Sequence, residues 1–115
     1  MPLTKINAQS RGTKLTKDSP PPFIVSFRRK LLSGYRLVDM EKKDMANLQK
    51  FLDIASELSI QEMEKRYRRK PDRQDKFDGK YVEHYGFDNG FRIHGFFYDG
   101  RFEVIRIDPN HKKHK

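Results

Sequence analysis

The side chains best suited to chemistry in this sequence lie near its C-terminal end and are mostly cations and imidazoles. With no cysteine in the chain, thiolate catalysis and Cys-based zinc sites are excluded. Metal-independent RNA cleavage needs a base for the 2′-hydroxyl proton, cations for the scissile phosphate and an acid for the leaving oxygen. Histidine, arginine, lysine and tyrosine can supply all three. The candidate catalytic residues are Arg92, His94, Arg106, His111 and His114.

A metal site is the alternative use of the histidines. His111 and His114 are three residues apart, and His84, His94 and Asp108 could join them as ligands. The two lysines between His111 and His114 oppose cation binding, so we expect no metal ion. Motifs for phosphate-binding loops, dinucleotide sites and nucleophile turns are absent, and we expect no cofactor.

Most of these residues belong to a predicted β-hairpin. The dipeptide Asp99-Gly100 is flanked by runs of aromatic and β-branched residues, which strongly indicates a two-residue hairpin loop. Such a loop fixes the register, with His94 opposite Ile105. Because strand side chains alternate, one face is predicted as core and collects Phe91, Ile93, Phe97, Phe102 and Val104. The other face is predicted as exposed and collects Arg92, His94, Phe96, Tyr98, Arg101, Glu103, Ile105 and Ile107.

The composition favours a polyanionic partner. The chain has 25 Lys+Arg against 16 Asp+Glu, a formal net charge of +9. Aromatic side chains on the mixed hairpin face could stack on unpaired bases, so RNA is favoured, free or on the ribosome. The predicted nucleic-acid-binding residues are Arg66, Arg68, Arg69, Lys70, Arg73, Phe96, Tyr98, Arg101, Lys112 and Lys113. No apolar run approaches the roughly 18 residues of a membrane span, so no membrane partner is expected and the predicted location is the cytoplasm.

The remaining elements are predicted from periodicity and turn signals. Residues 1–20 are predicted as a disordered basic arm, 21–110 as a single α+β domain and 111–115 as a basic tail. A short strand is expected over Phe23–Phe27, then a second strand or extended segment over Tyr35–Val38. Asp39 is the predicted N-cap of a first helix. The capping-box sequence at 59–62 starts a second helix, which ends by Lys70 because a proline follows.

In the predicted order, one or two strands precede two helices, and three antiparallel strands follow. Two helices on one face of an antiparallel sheet make a small two-layer α+β domain. This succession, closed by a basic tail, resembles the RelE-type mRNA interferases, bacterial toxins that cut mRNA on the ribosome without a metal. The resemblance implies that Arg92 matches the strand-opening arginine of that family. It also implies that His111, within Asp108-Pro109-Asn110-His111, or His114 matches the catalytic Tyr or His. The same ending is similar to that of small uncharacterised phage and mobile-element proteins.

Three functions are therefore compatible with the sequence. The first is an RNA-interacting domain of toxin or mobile-element type, which could be a metal-independent endoribonuclease. The second is a non-catalytic nucleic-acid-binding protein. The third is a phage-encoded inhibitor or other protein-binding module, whose partner would be an acidic protein such as an antitoxin or a host protein.

Overall fold

Two helices and seven strands form the part of the chain that the computed structural model describes, residues 20–70 and 74–109. In chain order they are β1 (Val25–Ser26), α1 (Lys42–Ala55), α2 (Ile60–Tyr67), β2 (Arg68–Arg69), β3 (Lys76–Phe77), β4 (Lys80–Tyr81), β5 (Glu83–Gly86), β6 (Arg92–Tyr98) and β7 (Arg101–Asp108). Most of the predicted arm and the whole predicted tail lie outside the described residues. So do the candidate residues Arg73, His111, Lys112, Lys113 and His114.

The strands form one large sheet and one small hairpin. The large sheet has the order β1-β7-β6-β5-β2, and β3 pairs with β4 in a separate two-stranded sheet. The predicted α+β class is confirmed, although β1 runs parallel to β7 and makes the large sheet mixed. Both helices pack on one face of this sheet, where Phe51 and Met63 share a core with Phe102, Val104 and other strand residues. No helix among the described residues is long and apolar enough to cross a membrane.

The start of α1 differs from the prediction. Its N-cap is Glu41, whereas Asp39 lies in a short 3-10 helix over Leu37–Asp39 and accepts a hydrogen bond from the backbone N–H of Arg36. The segment predicted as a second strand is therefore a tight turn. The Asp39 carboxylate is hydrogen-bonded to the backbone within its own turn and therefore does not cap α1.

The start of α2 confirms the predicted capping box. The Ser59 hydroxyl accepts a hydrogen bond from the backbone N–H of Glu62, and the Glu62 carboxylate accepts one from the backbone N–H of Ser59, both at 3.1 Å. The helix ends at Tyr67. Arg68 and Arg69 then pair with β5 as the short edge strand β2.

The β6–β7 hairpin follows the predicted register only near its turn. Asp99 and Gly100 have φ values of 54° and 78°, as a two-residue hairpin turn requires, and the pairing holds back to Gly95 opposite Val104. A β-bulge then shifts the register, and His94 pairs with Arg106 instead of Ile105. Beyond the extra residue, the side chains of β7 lie on the faces opposite to the predicted ones. Ile107, predicted on the mixed face, therefore joins the core under the helices.

Most of the mixed face of the hairpin is covered by the chain itself, so the predicted exposed platform is wrong except beside the turn, where Tyr98 is half exposed. The exposed fractions of His94, Phe96 and Arg106 are 0%, 2% and 5%. Leu32 and Phe77 pack over this face and complete a second apolar cluster, and the Phe77 ring stacks on that of Phe96 with centroids 5.9 Å apart. The burial of apolar side chains on both faces of the hairpin favours this covering.

Candidate functional site

Two of the predicted catalytic groups, His94 and Arg106, belong to a buried ionic cluster. Arg106 donates a hydrogen bond to Asp75 Oδ2, and His84 Nε2 lies 2.8 Å from the same oxygen. The rings of His84 and His94 are stacked, with centroids 3.9 Å apart and planes 20° from parallel. The cluster joins β5, β6 and β7 to the residue that precedes β3, and it lies in the interior.

The electrostatics of the cluster keep Asp75 charged. Burial alone raises the pKa of the Asp75 carboxyl, but the hydrogen bonds from Arg106 and His84 outweigh it, and the pKa lies below its usual range. A buried carboxylate of this kind is stable because its partners are in place.

The same cluster contains the possible metal ligands within the described residues. Asp75, His84 and His94 each offer one ligand atom, and these atoms lie within 4.8 Å of one another. The Arg106 guanidinium is bound to the carboxylate that would have to bind the cation, and this charge opposes a metal ion. The expectation that no metal is bound therefore stays a prediction, now with this physical reason.

Arg92, the third predicted catalytic residue that the structure describes, holds the β5–β6 connection. Its guanidinium donates hydrogen bonds to the backbone carbonyls of Phe87 and Phe91. Burial lowers the pKa of the Arg92 guanidinium, and the nearby charge of Arg69 acts in the same direction. Arg92, His94 and Arg106 thus do not meet on an exposed surface.

Two of the predicted basic residues around β2 form ion pairs within the protein. Arg68 is paired with Glu83 at 2.9 Å and Arg69 with Asp88 at 2.7 Å, so both tie the edge strand to neighbouring segments. Arg66 and Lys70 are exposed.

A cleft with several cations opens at the other end of the mixed face, near the β6–β7 turn. Its volume is about 500 Å³, and three segments build it: the chain after β1, the β3–β4 hairpin and the β6–β7 hairpin. We call it the Glu103 cleft. Its lining residues are Arg28, Arg29, Asp78, Lys80, Tyr98 and Glu103.

The floor of the Glu103 cleft carries polar groups without hydrogen-bond partners among the described residues. Glu103 is 1% exposed, and neither of its carboxylate oxygens has such a partner. The Nε atoms of Arg29 and Arg101 lie 3.9 and 3.7 Å from the two oxygens, beyond ordinary hydrogen-bond distance, and they lack partners too. Each oxygen thus forms a long ion pair with one guanidinium and no hydrogen bond, and buried polar groups without hydrogen bonds cost free energy.

The rim of the cleft combines an aromatic ring with cations. Tyr98 is 48% exposed, and the Arg29 guanidinium and Lys80 ammonium lie 6.0 and 5.9 Å from the centre of its ring. The same two cations lie 5.0 and 5.6 Å from the ring of buried Phe96. Cation–π attraction at these distances holds the positive charges beside the exposed ring.

Sequence reasoning identified Tyr98 and Arg101 as site residues of this region and placed Glu103 on the same face. It missed Arg28, Arg29, Asp78 and Lys80. Arg28 and Arg29 follow β1, roughly 70 residues before Tyr98 in the chain, and nothing local connects them with it. The β3–β4 hairpin could have been found. Its turn is the dipeptide Asp78-Gly79, the same signal as at Asp99-Gly100, and it would have brought Lys80 into consideration.

Phe96 is a nucleic-acid contact in the prediction but an interior residue in the structure, since it lies beneath Phe77. Tyr98, the other aromatic residue predicted to contact nucleic acid, is half exposed. Comparisons of the chain with protein-family models, with curated proteins and with solved structures gave no significant match.

Proposed function

We propose that this protein binds single-stranded RNA through the Glu103 cleft. The observation that carries the proposal is the convergence of Arg28, Arg29 and Lys80 around the exposed ring of Tyr98. Cations that neutralise phosphates and aromatic rings that stack on unpaired bases are the two components of single-strand binding. An unpaired base can reach a ring inside a cleft, whereas a base within a duplex cannot.

The proposal extends to partner and compartment. A net charge of +9 favours long-range attraction to RNA, either free mRNA or the ribosome. A protein with such targets acts in the cytoplasm.

Binding without cleavage is the function that the described residues support best. His94 and Arg106 are buried in an ionic cluster and Arg92 is bound to backbone carbonyls, so none of them is placed to act on a phosphodiester. The endoribonuclease, the likeness to RelE-type mRNA interferases and an acidic antitoxin partner stay predictions.

The salt dependence of RNA binding tests the proposal. We expect fluorescence anisotropy to show binding of a labelled oligouridine whose log affinity falls linearly with log salt, with a slope of about −0.7 per phosphate contact. Lys80→Ala should make this slope shallower by about 0.7, and Tyr98→Ala should weaken binding by about tenfold, because it removes a stacking ring.

Lys43→Ala is the matched control for Lys80→Ala. It removes the same charge from an exposed position on α1, which packs on the opposite face of the sheet, and the slope should stay unchanged. Absence of RNA binding at low salt would refute the proposal. Co-purification of an acidic protein in that case would favour the protein-binding module.

A further inference from the structure

The hydrogen-bonding capacity at the floor of the Glu103 cleft is specific enough to select a base. Neither oxygen of Glu103 has a hydrogen-bond partner among the described residues, and each forms a long ion pair with one guanidinium, that of Arg29 at 3.9 Å or that of Arg101 at 3.7 Å. The floor therefore presents two adjacent acceptors flanked by donors. A carboxylate accepts hydrogen bonds and donates none.

The four RNA bases differ in how they match this pattern. On its Watson–Crick edge guanine carries the O6 acceptor, then the N1–H donor, then the N2 amino donor. Adenine, cytosine and uracil each place an acceptor next to their donor on that edge. Against a carboxylate, these three bases set a lone pair facing an oxygen, which is repulsive. Guanine alone offers two neighbouring donors.

We propose that the Glu103 cleft recognises guanine in single-stranded RNA. Glu103 accepts hydrogen bonds from N1–H and the N2 amino group, and a flanking guanidinium, Arg29 or Arg101, donates to O6. The ring of Tyr98 stacks on the base, and Arg28 and Lys80 at the exposed rim contact the adjoining phosphates. This inference rests on the proposed RNA binding and adds the base to it.

The cleft has the volume for such a ligand. Its volume of about 500 Å³ lies within the roughly 300–1,000 Å³ typical of small-molecule sites. Because Glu103 is 1% exposed, binding includes a shift of the side chains over its carboxylate, and the bound base is then shielded from water, so a mismatched hydrogen bond is costly.

A base series on the unaltered, full-length protein tests the inference. The probes are oligouridines in which one central position is guanine, inosine, adenine or cytosine. We expect the guanine probe to bind about tenfold or more tightly than the adenine and cytosine probes. The inosine probe, which keeps N1–H but lacks the amino group, should lie between them. Equal affinity for all four probes would overturn the inference.

The variant Glu103→Gln assigns the preference to the carboxylate. An amide has one acceptor and one donor, so the guanine and adenine probes should bind within about twofold of each other. Glu83→Gln is the matched control, because Glu83 is a half-buried carboxylate on β5 paired with Arg68 outside the cleft, and it should keep the preference. Retention of the preference in Glu103→Gln would also refute the inference.

The two proposals fail in different ways. Salt-dependent binding that is equal for every base removes guanine recognition but leaves RNA binding. Absence of binding to every probe removes both. If Glu103→Gln does not fold, as circular dichroism would show, the base series on the unaltered protein decides the question.

Discussion

Asp75 is the residue on which the buried cluster depends. One carboxylate oxygen contacts both Arg106 and His84, and the side chains of all three residues are almost entirely inaccessible to water. A buried ion pair contributes little compared with an apolar replacement, but removal of one partner leaves the other charge uncompensated. We therefore expect the stability of the fold to be sensitive to substitutions in this cluster.

Substitution of Asp75 tests this dependence. We expect Asp75→Asn to lower the free energy of unfolding by about 3–5 kcal/mol, because the Arg106 guanidinium stays buried without its counter-charge. The double variant Asp75→Asn with Arg106→Met should be destabilised by less than the sum of the two single effects, since it removes both charges. Urea denaturation of the four proteins measures this. A destabilisation below about 0.5 kcal/mol in Asp75→Asn, the level expected for the surface control Asp53→Asn, would contradict it.

The same carboxylate predicts a pH dependence of stability. The pKa of Asp75 is lowered in the folded protein, so its contribution is complete above the unfolded-state pKa of about 3.9 and is lost as the pH falls through the lower folded-state value. Urea midpoints measured from about pH 7 down to about pH 2.5 should fall steeply below about pH 4.

The pH effect should be reduced in Asp75→Asn but not abolished. Glu62 and Asp88 also have lowered pKa values, because the Ser59 backbone N–H binds the first and the Arg69 guanidinium binds the second. Asp53→Asn should retain the dependence of the unaltered protein. Identical acid slopes in the unaltered protein and in Asp75→Asn would show that Asp75 does not carry this effect.

At the scale of elements, the bulge in the β6–β7 hairpin places Arg106 opposite His94 and turns Ile107 toward the helices. It begins at Gly95, where a side chain has no room. A Cβ atom there would lie 2.2 Å from the backbone oxygen of Glu103 and 3.0 Å from the ring of Phe102. The close approach of the two strands at Gly95 therefore also fixes the backbone that carries Glu103.

Gly95→Ala is expected to destabilise the hairpin and disturb the cleft together. The added methyl group forces the β7 backbone to move, which should cost about 1–3 kcal/mol in urea denaturation and weaken guanine preference. Gly100→Asn is the comparison variant, because a Cβ at that turn meets no atom within 4 Å: it adds the strain of a positive φ of 78° without a clash and should cost less than Gly95→Ala. Unchanged stability in Gly95→Ala would mean that the strands can separate there at no cost.

The elements that sequence reasoning predicted correctly are those with local causes. The Asp99-Gly100 turn and the capping box at Ser59 and Glu62 each depend on residues within four positions, and the structure contains both. The bulge and the covering of the mixed face depend on residues far apart in the chain. Leu32 donates its backbone N–H to the carbonyl of Ile105, a contact that no periodicity indicates.

The residues of the candidate site also separate into those placed by local sequence signals and those placed by distant parts of the chain. Tyr98 could be found because strand alternation next to a recognisable turn places it on the mixed face. His94 could not be assigned correctly, because its burial depends on neighbours from other strands. Arg106 is likewise buried because Asp75 supplies its counter-charge, from a position 31 residues earlier in the chain.

At the scale of the whole molecule, we expect the contributions of net charge and of base recognition to RNA binding to be separable. The net charge of +9 is spread over the chain, including Lys5, Arg11, Lys14 and Lys17 in the N-terminal segment outside the described residues. Phosphate contacts provide affinity without sequence information, whereas base-edge contacts provide selectivity. In our proposal, the Glu103 cleft combines both kinds of contact.

Neutralisation of the N-terminal cations in the full-length protein tests this separation. A variant with Lys5, Arg11, Lys14 and Lys17 all changed to Gln should bind oligouridine more weakly, with a salt slope that becomes shallower by up to about 0.7 for each phosphate that the protein no longer neutralises. Its ratio of guanine to adenine affinity should match that of the unaltered protein, because the groups that read the base remain in the cleft. Anisotropy titrations with the same probes measure both quantities. A variant without the guanine preference would instead place base recognition in the N-terminal segment, and one with unchanged slope would show that these four charges do not bind RNA.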